Sequence, residues 1–168
     1  FSLLEEKQIY ALLCESLVFQ LEWDSAFVVE VKANTTVIKG SFQATQKQLD
    51  HIKDYLSRSQ AFIDALAHKN AISTYQSADK NALSLRTLFN TDEVVAMPIQ
   101  YGQHLFSYMV VCAHTHRGEN RGSEDVDFLA SIAAQIGYAV QNSLSYQKLE
   151  KQNVKLRQLD DLKNSFLS

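Results

Sequence analysis

The chain has 168 residues, 46% of them hydrophobic and 21% charged, with a formal net charge of −3. That size and composition fit one soluble globular domain, able to bury about 70% of its unfolded surface. They exclude the basic footprint of a nucleic-acid binder, and no apolar run approaches the ~20 residues that span a bilayer.

The two cysteines, Cys14 and Cys112, form neither a disulfide framework nor a metal-ligand spacing, so a reducing cytoplasm is the expected setting. Phe1 is not a natural start, and a segment of a longer chain is expected.

Residues 4–23 read as a helix, with Ile9, Leu12, Leu13, Leu17 and Leu21 on one face. Residues 26–31 are rich in β-branched and aromatic side chains and read as a strand. A turn at Asn34-Thr35 and a second strand over 37–42 complete a hairpin. Thr45-Gln46-Lys47-Gln48 is a capping box, opening a helix with Leu49, Ile52 and Leu56 inward. Ser57 and Ser59 interrupt that helix before Phe62, Ile63 and Leu66 resume its pattern. A short strand over 71–75 and a short helix over 79–88 follow, with Leu85, Leu88 and Phe89 apolar. Two strands, 94–99 and 105–113, flank a turn at Gly102. Pro98 donates no ladder hydrogen bond and is expected at a strand end or edge. A polar loop over 114–122 then leads into the last third of the chain. The fold class is α+β, an antiparallel sheet flanked by helices.

Residues 123–168 contain no proline and one glycine, Gly137. Ser123 suits an N-cap, and Glu124 and Asp125 place negative charge where the helix dipole favours it. One helix over this stretch would be ~70 Å long, more than twice the ~30 Å diameter of a small domain. Its first half must therefore lie on the body and its second half must leave it. Phe128, Leu129, Ile132, Ala133, Ile136, Val140 and Leu144 form a broad apolar stripe suited to packing. From Leu149 the stripe narrows. Leu149, Leu156, Leu159 and Phe166 fit alternating a and d positions, with Gln152 and Lys163 in the polar ones, between charged flanks. That reads as a coiled-coil seam, weak alone because it covers fewer than three heptads; the alternative is a solvated helix frayed at its end. Gly137 costs about 1 kcal/mol relative to alanine, and is expected either to let a helix or the sheet approach closely or to kink the helix.

The run Val95-Ala96-Met97-Pro98-Ile99, the turn at Gly102 and the strand through Val111 resemble the paired strands of a GAF domain. The helix from Ser123 through Phe128, Ala133, Ile136 and Val140 resembles that family's C-terminal helix. The family usually has glycine where Ser107 stands and an aromatic residue where Gly122 stands; the first departure implies looser packing of the helix on the sheet. Further on, Leu162-Lys163-Asn164-Ser165-Phe166-Leu167-Ser168 is similar to the run that opens the dimerisation and phosphoacceptor helix of sensor histidine kinases. The resemblance implies a GAF-like sensory domain over 1–147 and a helical linker over 148–168, leading into a kinase core absent from this chain.

His114 and His116 would share one face of an extended strand, but a third metal ligand is missing nearby. No histidine among His51, His68, His104, His114 and His116 stands out as a haem ligand. Some GAF domains attach a bilin through a cysteine commonly followed by histidine; Cys112 is followed by Ala113, and Cys14 sits in the first helix. The cyclic-nucleotide signature of the family is missing, as are a phosphate loop and a nucleophile elbow. The family binds small molecules between the sheet and its inserted helices. If Ser107 faces the long helix, Tyr108 and Val110 face that pocket, because strand side chains alternate. Phe27, Tyr75, Leu88 and Met97 are candidates to join them, with the Tyr75 and Tyr108 hydroxyls as polar handles. The same residues serve equally as core.

The function expected is therefore that of a non-catalytic sensory or relay domain of a two-component sensor kinase. It would be a homodimer through its first and last helices, with an unknown small molecule or an upstream domain as input and no nucleic-acid or membrane contact. The alternatives are a haem- or bilin-binding receptor and a ligand-free dimerisation scaffold.

Overall fold

The computed structural model describes residues 3–32, 35–60, 63–64, 71–75, 80–114 and 123–167. The elements in chain order are α1 (Leu3–Leu21), β1 (Ser25–Lys32), β2 (Thr35–Phe42), α2 (Gln46–Arg58), β3 (Ile72–Ser73), α3 (Lys80–Phe89), β4 (Glu93–Tyr101), β5 (His104–Ala113) and α4 (Ser123–Leu167). The strands form one antiparallel sheet in the order β2-β1-β5-β4-β3.

Each face of the sheet carries its own apolar layer. On one, Val28, Val95, Met97, Ile99, Met109 and Val111 pack against α1 and α4. On the other, Phe27, Val29, Val94, Ala96, Tyr108 and Val110 pack against α2 and α3. The strict alternation of these numbers is the pleat: successive side chains on a strand point to opposite faces.

Most expected elements are present, with shifted ends. The capping box forms: Thr45 Oγ1 accepts from the Gln48 N–H at 3.1 Å, and Gln48 Oε1 accepts from the Thr45 N–H at 2.9 Å. Such a cap is worth about 1 kcal/mol. The helix it opens ends at Arg58, before Ser59. Phe62 and Leu66 lie outside the described residues, as do Asn34, Asp79, Gly122 and the stretch 115–122. The strand expected over 71–75 shrinks to Ile72–Ser73.

Pro98 stands inside β4, opposite Tyr108, rather than at a strand end. The expectation of an edge is still met locally, because β3 pairs only with Val95 and Ala96. Among the described residues no strand pairs with the outer side of β4 at Pro98, so no ladder donor is lost there.

The rotational phase of both long helices differs from the sequence reading. In α1 the buried set is Tyr10, Leu13, Cys14, Leu17 and Val18, while Leu12 is exposed. In α4 the buried set is Leu129, Ala133, Val140 and Ser143, while Phe128 and Leu144 are exposed. Two glycines set this phase. A Cβ on Gly40 of β2 would stand 3.1 Å from the Tyr10 backbone, so α1 rests directly on that strand. Gly137 meets the backbone of Gln100 at the end of β4. The looser helix packing implied by Ser107 is not seen at these crossings: Ser107 instead faces α1, where its hydroxyl donates to Tyr10 Oη at 3.2 Å.

α4 is a single helix of 45 residues. Every residue from 148 to 167 is exposed. The last ~30 Å of the helix thus projects from the body without support from it.

Candidate functional site

The sheet divides the residues expected to line one pocket between two layers. Phe27, Tyr108 and Val110 come together in the layer under α2 and α3, with Leu88 at its margin. Met97 belongs to the opposite layer, because Val95, Met97 and Ile99 alternate with Val94 and Ala96 along β4. Tyr75 also packs against that opposite layer, and its backbone N–H donates to Ser73 Oγ at 3.0 Å. Phe106, grouped with Tyr108 by simple alternation, packs against the α1–α4 side. The cause is a bulge: Ile99 pairs with Ser107 but Gln100 pairs with Leu105, leaving Phe106 as the extra residue. A bulge of this kind re-aims a side chain.

The three residues that do meet are tightly packed. Phe27 and Val110 are fully buried, and the Phe27 ring meets Phe89 edge-on at 5.4 Å between centroids. Ile52, Leu56, Ile72 and Leu85 close the space around them. Burial raises the pKa of the Tyr108 hydroxyl, with a further push from the negative charge of Asp64. That hydroxyl is therefore a neutral donor at physiological pH, not an anion. Among the described residues, two open clefts lie on the other layer. One of about 310 Å³ is lined by Leu21, Trp23 and Phe128 among others, and one of about 260 Å³ by Pro98, Ala130 and Ala134 among others.

Both thiols are core. Cys14 is 0% and Cys112 2% exposed, and burial pushes each up to about 12. For Cys112 a hydrogen bond with Ser25 opposes the burial and the charge of Asp24 adds to it. The thiolate is the reactive form, so neither side chain is poised for oxidation or covalent attachment. In the folded protein at about pH 8 an aromatic disulfide reagent is expected to label neither thiol, and to label both once the chain is unfolded. Rapid labelling of the native protein would show that the layer around one of them opens.

His114 begins the stretch after β5, where its N–H donates to Asp24 Oδ2 at 2.7 Å and its Nδ1 lies 3.9 Å from Asp92 Oδ2. His116 and His68 lie outside the described residues. Among the described residues no three metal-ligating side chains converge.

Sequence reasoning missed the buried polar contact between α1 and the sheet. Tyr10 is 1% exposed, and burial pushes its hydroxyl up to about 12 against the smaller, opposite effect of the Ser107 hydrogen bond. The tyrosine at position 10 between apolar neighbours was the available signal. It sits four residues before Cys14 and seven before Leu17, on the face that proves to be buried.

Among the described residues, the large apolar side chains that are more than half exposed all lie on the two long helices. Leu12 and Phe19 of α1 and Phe128 and Tyr146 of α4 are each more than half exposed. Beyond them the projecting part of α4 exposes Leu149, Leu156, Leu159, Leu162, Phe166 and Leu167. No helix among the described residues is long and apolar enough to cross a membrane.

No family model matches the sequence, and no curated protein matches it. Solved structures do resemble it. A GAF domain of Synechocystis in its photoproduct state superposes with a TM-score of 0.63 at 13% identity, over 88% of this chain and 99% of that one. The blue-light-absorbing form of the Thermosynechococcus elongatus PixJ GAF domain gives 0.65 at 12% identity, over 89% and 93%. The GAF domain of the Acinetobacter phosphoenolpyruvate-protein phosphotransferase gives 0.57 at 9% identity, over 86% of each chain. At such identities the likeness concerns the fold, and the fold is that of a GAF domain with a long C-terminal helix.

Proposed function

We propose that this chain is a non-catalytic sensory or relay domain of a larger signalling protein, transmitting the state of its body through α4. The observation that carries this reading is the continuity of that helix. Leu129, Ala133 and Val140 are fixed in the core, and the same unbroken helix exposes an apolar seam from Leu149 to Phe166. A change in how α4 sits on the sheet must therefore appear at its far end. The mechanism is a shift between helix arrangements, favoured by whatever binds one of them better.

The likeness of residues 162–168 to the opening of a phosphoacceptor helix supports a sensor histidine kinase as the whole protein. In this reading 1–147 is the sensory unit and 148–168 the linker to the kinase core of the same chain. The exposed apolar side chains of α1 and α4 support a homodimer joined through both helices, and the two free buried thiols support a cytoplasmic location.

A second reading, a pigment- or haem-loaded receptor, draws on the likeness to light-absorbing GAF domains. The close packing of Phe27, Tyr108 and Val110 and the burial of both thiols weigh against it.

Native mass spectrometry under gentle and then denaturing conditions separates these readings. A dimer of bare polypeptide mass is expected. Extra mass that persists on denaturation would favour a covalent cofactor, and extra mass that is lost would give the size of a small-molecule input. A bare monomer would sink the dimeric relay.

A further inference from the structure

We infer that the bulged end of the β4–β5 hairpin is a hinge coupling α1 to α4, so that a displacement of α1 reaches the last helix without passing through the α2–α3 layer. This rests on the relay reading above and assigns its input to the first helix.

Each long helix has a glycine crossing on the sheet, and the two helices hold the hairpin on either side of one irregularity. α1 is held at Tyr10. A Cβ on Gly40 would stand 3.1 Å from the Tyr10 backbone, and the Tyr10 hydroxyl accepts from Ser107 Oγ of β5 at 3.2 Å. α4 is held at Gly137, against the backbone of Gln100 of β4. The rings of Tyr138 and Tyr101, 5.8 Å apart between centroids, extend that hold toward the turn. Ser107 pairs with Ile99, the residue before Gln100, and Gln100 pairs with Leu105. Between those rungs lies the extra residue of β5, Phe106. A bulge interrupts the ladder and bends the strand. α1 therefore holds the sheet side of the bend, and α4 holds the hairpin end beyond it.

The contacts run unbroken from Tyr10 through Ser107, Ile99 and Gln100 to Gly137, and contiguous contacts of this kind carry coupling. Both holds are stiff. Tyr10 is 1% and Ser107 2% exposed, and a hydrogen bond shielded from water is costly to leave unmade. Gly137 meets main-chain atoms, which cannot swing aside as a side chain can. The direct route between the helices is looser: clefts of about 310 and 80 Å³ separate Leu17 and Leu21 of α1 from Phe128 and Ile132 of α4. Among the described residues, none from Ile99 to Phe106 belongs to the α2–α3 layer, so that layer has no equivalent hold on the hairpin end.

Amide hydrogen exchange of the full 168-residue chain, resolved by element, tests this. Tyr10→Phe removes one hydroxyl and keeps the ring. It is expected to quicken exchange at least about fivefold in residues 99–105 and around Gly137, leaving α2 within about twofold. Ser107→Ala should do the same, and the double variant no more than either alone, because each removes the same bond. Coupling free energies are reciprocal, so Gly137→Ala should in turn quicken α1 around Tyr10 more than α2. Ile52→Val, a mild truncation in the α2–α3 layer, should quicken α2 more than the hairpin end or α4.

With Tyr10→Phe, quickening confined to α1, or spread equally over every element, would overturn the hinge. If α4 responds to Ile52→Val and not to Tyr10→Phe, the input enters through the α2–α3 layer: the hinge is wrong and the relay reading stands. If α4 responds to none of the variants, Gly137→Ala included, it is insulated from the body and both fail.

Discussion

Gly137→Ala is expected to destabilise the folded protein, although alanine is the better helix former by about 1 kcal/mol. The added methyl has no room. A Cβ there would lie 2.9 Å from the carbonyl carbon of Gln100 and 3.3 Å from its nitrogen, with the carbonyl oxygen nearer still. These are backbone atoms at the end of a paired strand, not the free end of a flexible side chain. Either α4 lifts from β4 or the β4–β5 hairpin bends. Overpacking of this kind costs typically 1–3 kcal/mol, and resistance from two ordered elements places the net loss at about 2 kcal/mol or more after the propensity gain. For a chain of this length that lowers the melting temperature by about 5 °C or more. Thermal unfolding followed by circular dichroism checks it. An unchanged or higher melting temperature would mean that the helix stands off the strand. Gly137→Leu should do still more harm and disturb the helix contacts proposed for the dimer.

Phe27→Ala has the largest expected effect of any single truncation considered. Phe27 is 0% exposed, in edge contact with Phe89 and enclosed by the α2–α3 layer. Removing a phenyl ring from such a site costs about 3–5 kcal/mol, through lost burial and the cavity left behind. The melting temperature should fall by about 10 °C. The variant also discriminates between the two roles offered by the sequence. A ring lining an open ligand cavity has fewer protein neighbours to lose, so a shift of only a degree or two, accompanied by loss of a bound molecule, would identify Phe27 as a pocket residue. Leu88→Ala, at the margin of the same layer, should be much milder.

The sequence was informative where local physics decides the outcome. Thr45 and Gln48 satisfy each other's backbone donors within four residues, so the start of α2 was legible without any tertiary information. The length of α4 was legible for the same reason: no proline interrupts it, and a helix that long cannot be covered by a domain of this size. What was not legible depends on contacts between distant segments. α1 is apolar on more than one side, so choosing Tyr10, Cys14 and Leu17 over Leu12 as its buried face required Gly40 to be placed beneath it. In α4 the rotation follows from Gly137 touching Gln100, not from the hydrophobic pattern, which accommodates Phe128 on either face. The six residues expected around one pocket fall on both faces of the sheet, because Met97 needed its pleat direction and Tyr75 its place beside the α1–α4 layer; neither is marked by residue type.

For the relay proposed above, the position of Gly137 has a geometric consequence. From that contact to Leu167 there are 30 residue steps along one helix, or about 45 Å. Taken as a rigid lever with its fulcrum at Gln100, a tilt of about 5° moves the far end by about 4 Å, close to three helical rises of 1.5 Å. Displacements too small to break any hydrogen bond in the sheet thus arrive at the tip as movements comparable to the spacing between neighbouring side chains. A body with a tightly filled core need deform very little to be heard at the far end.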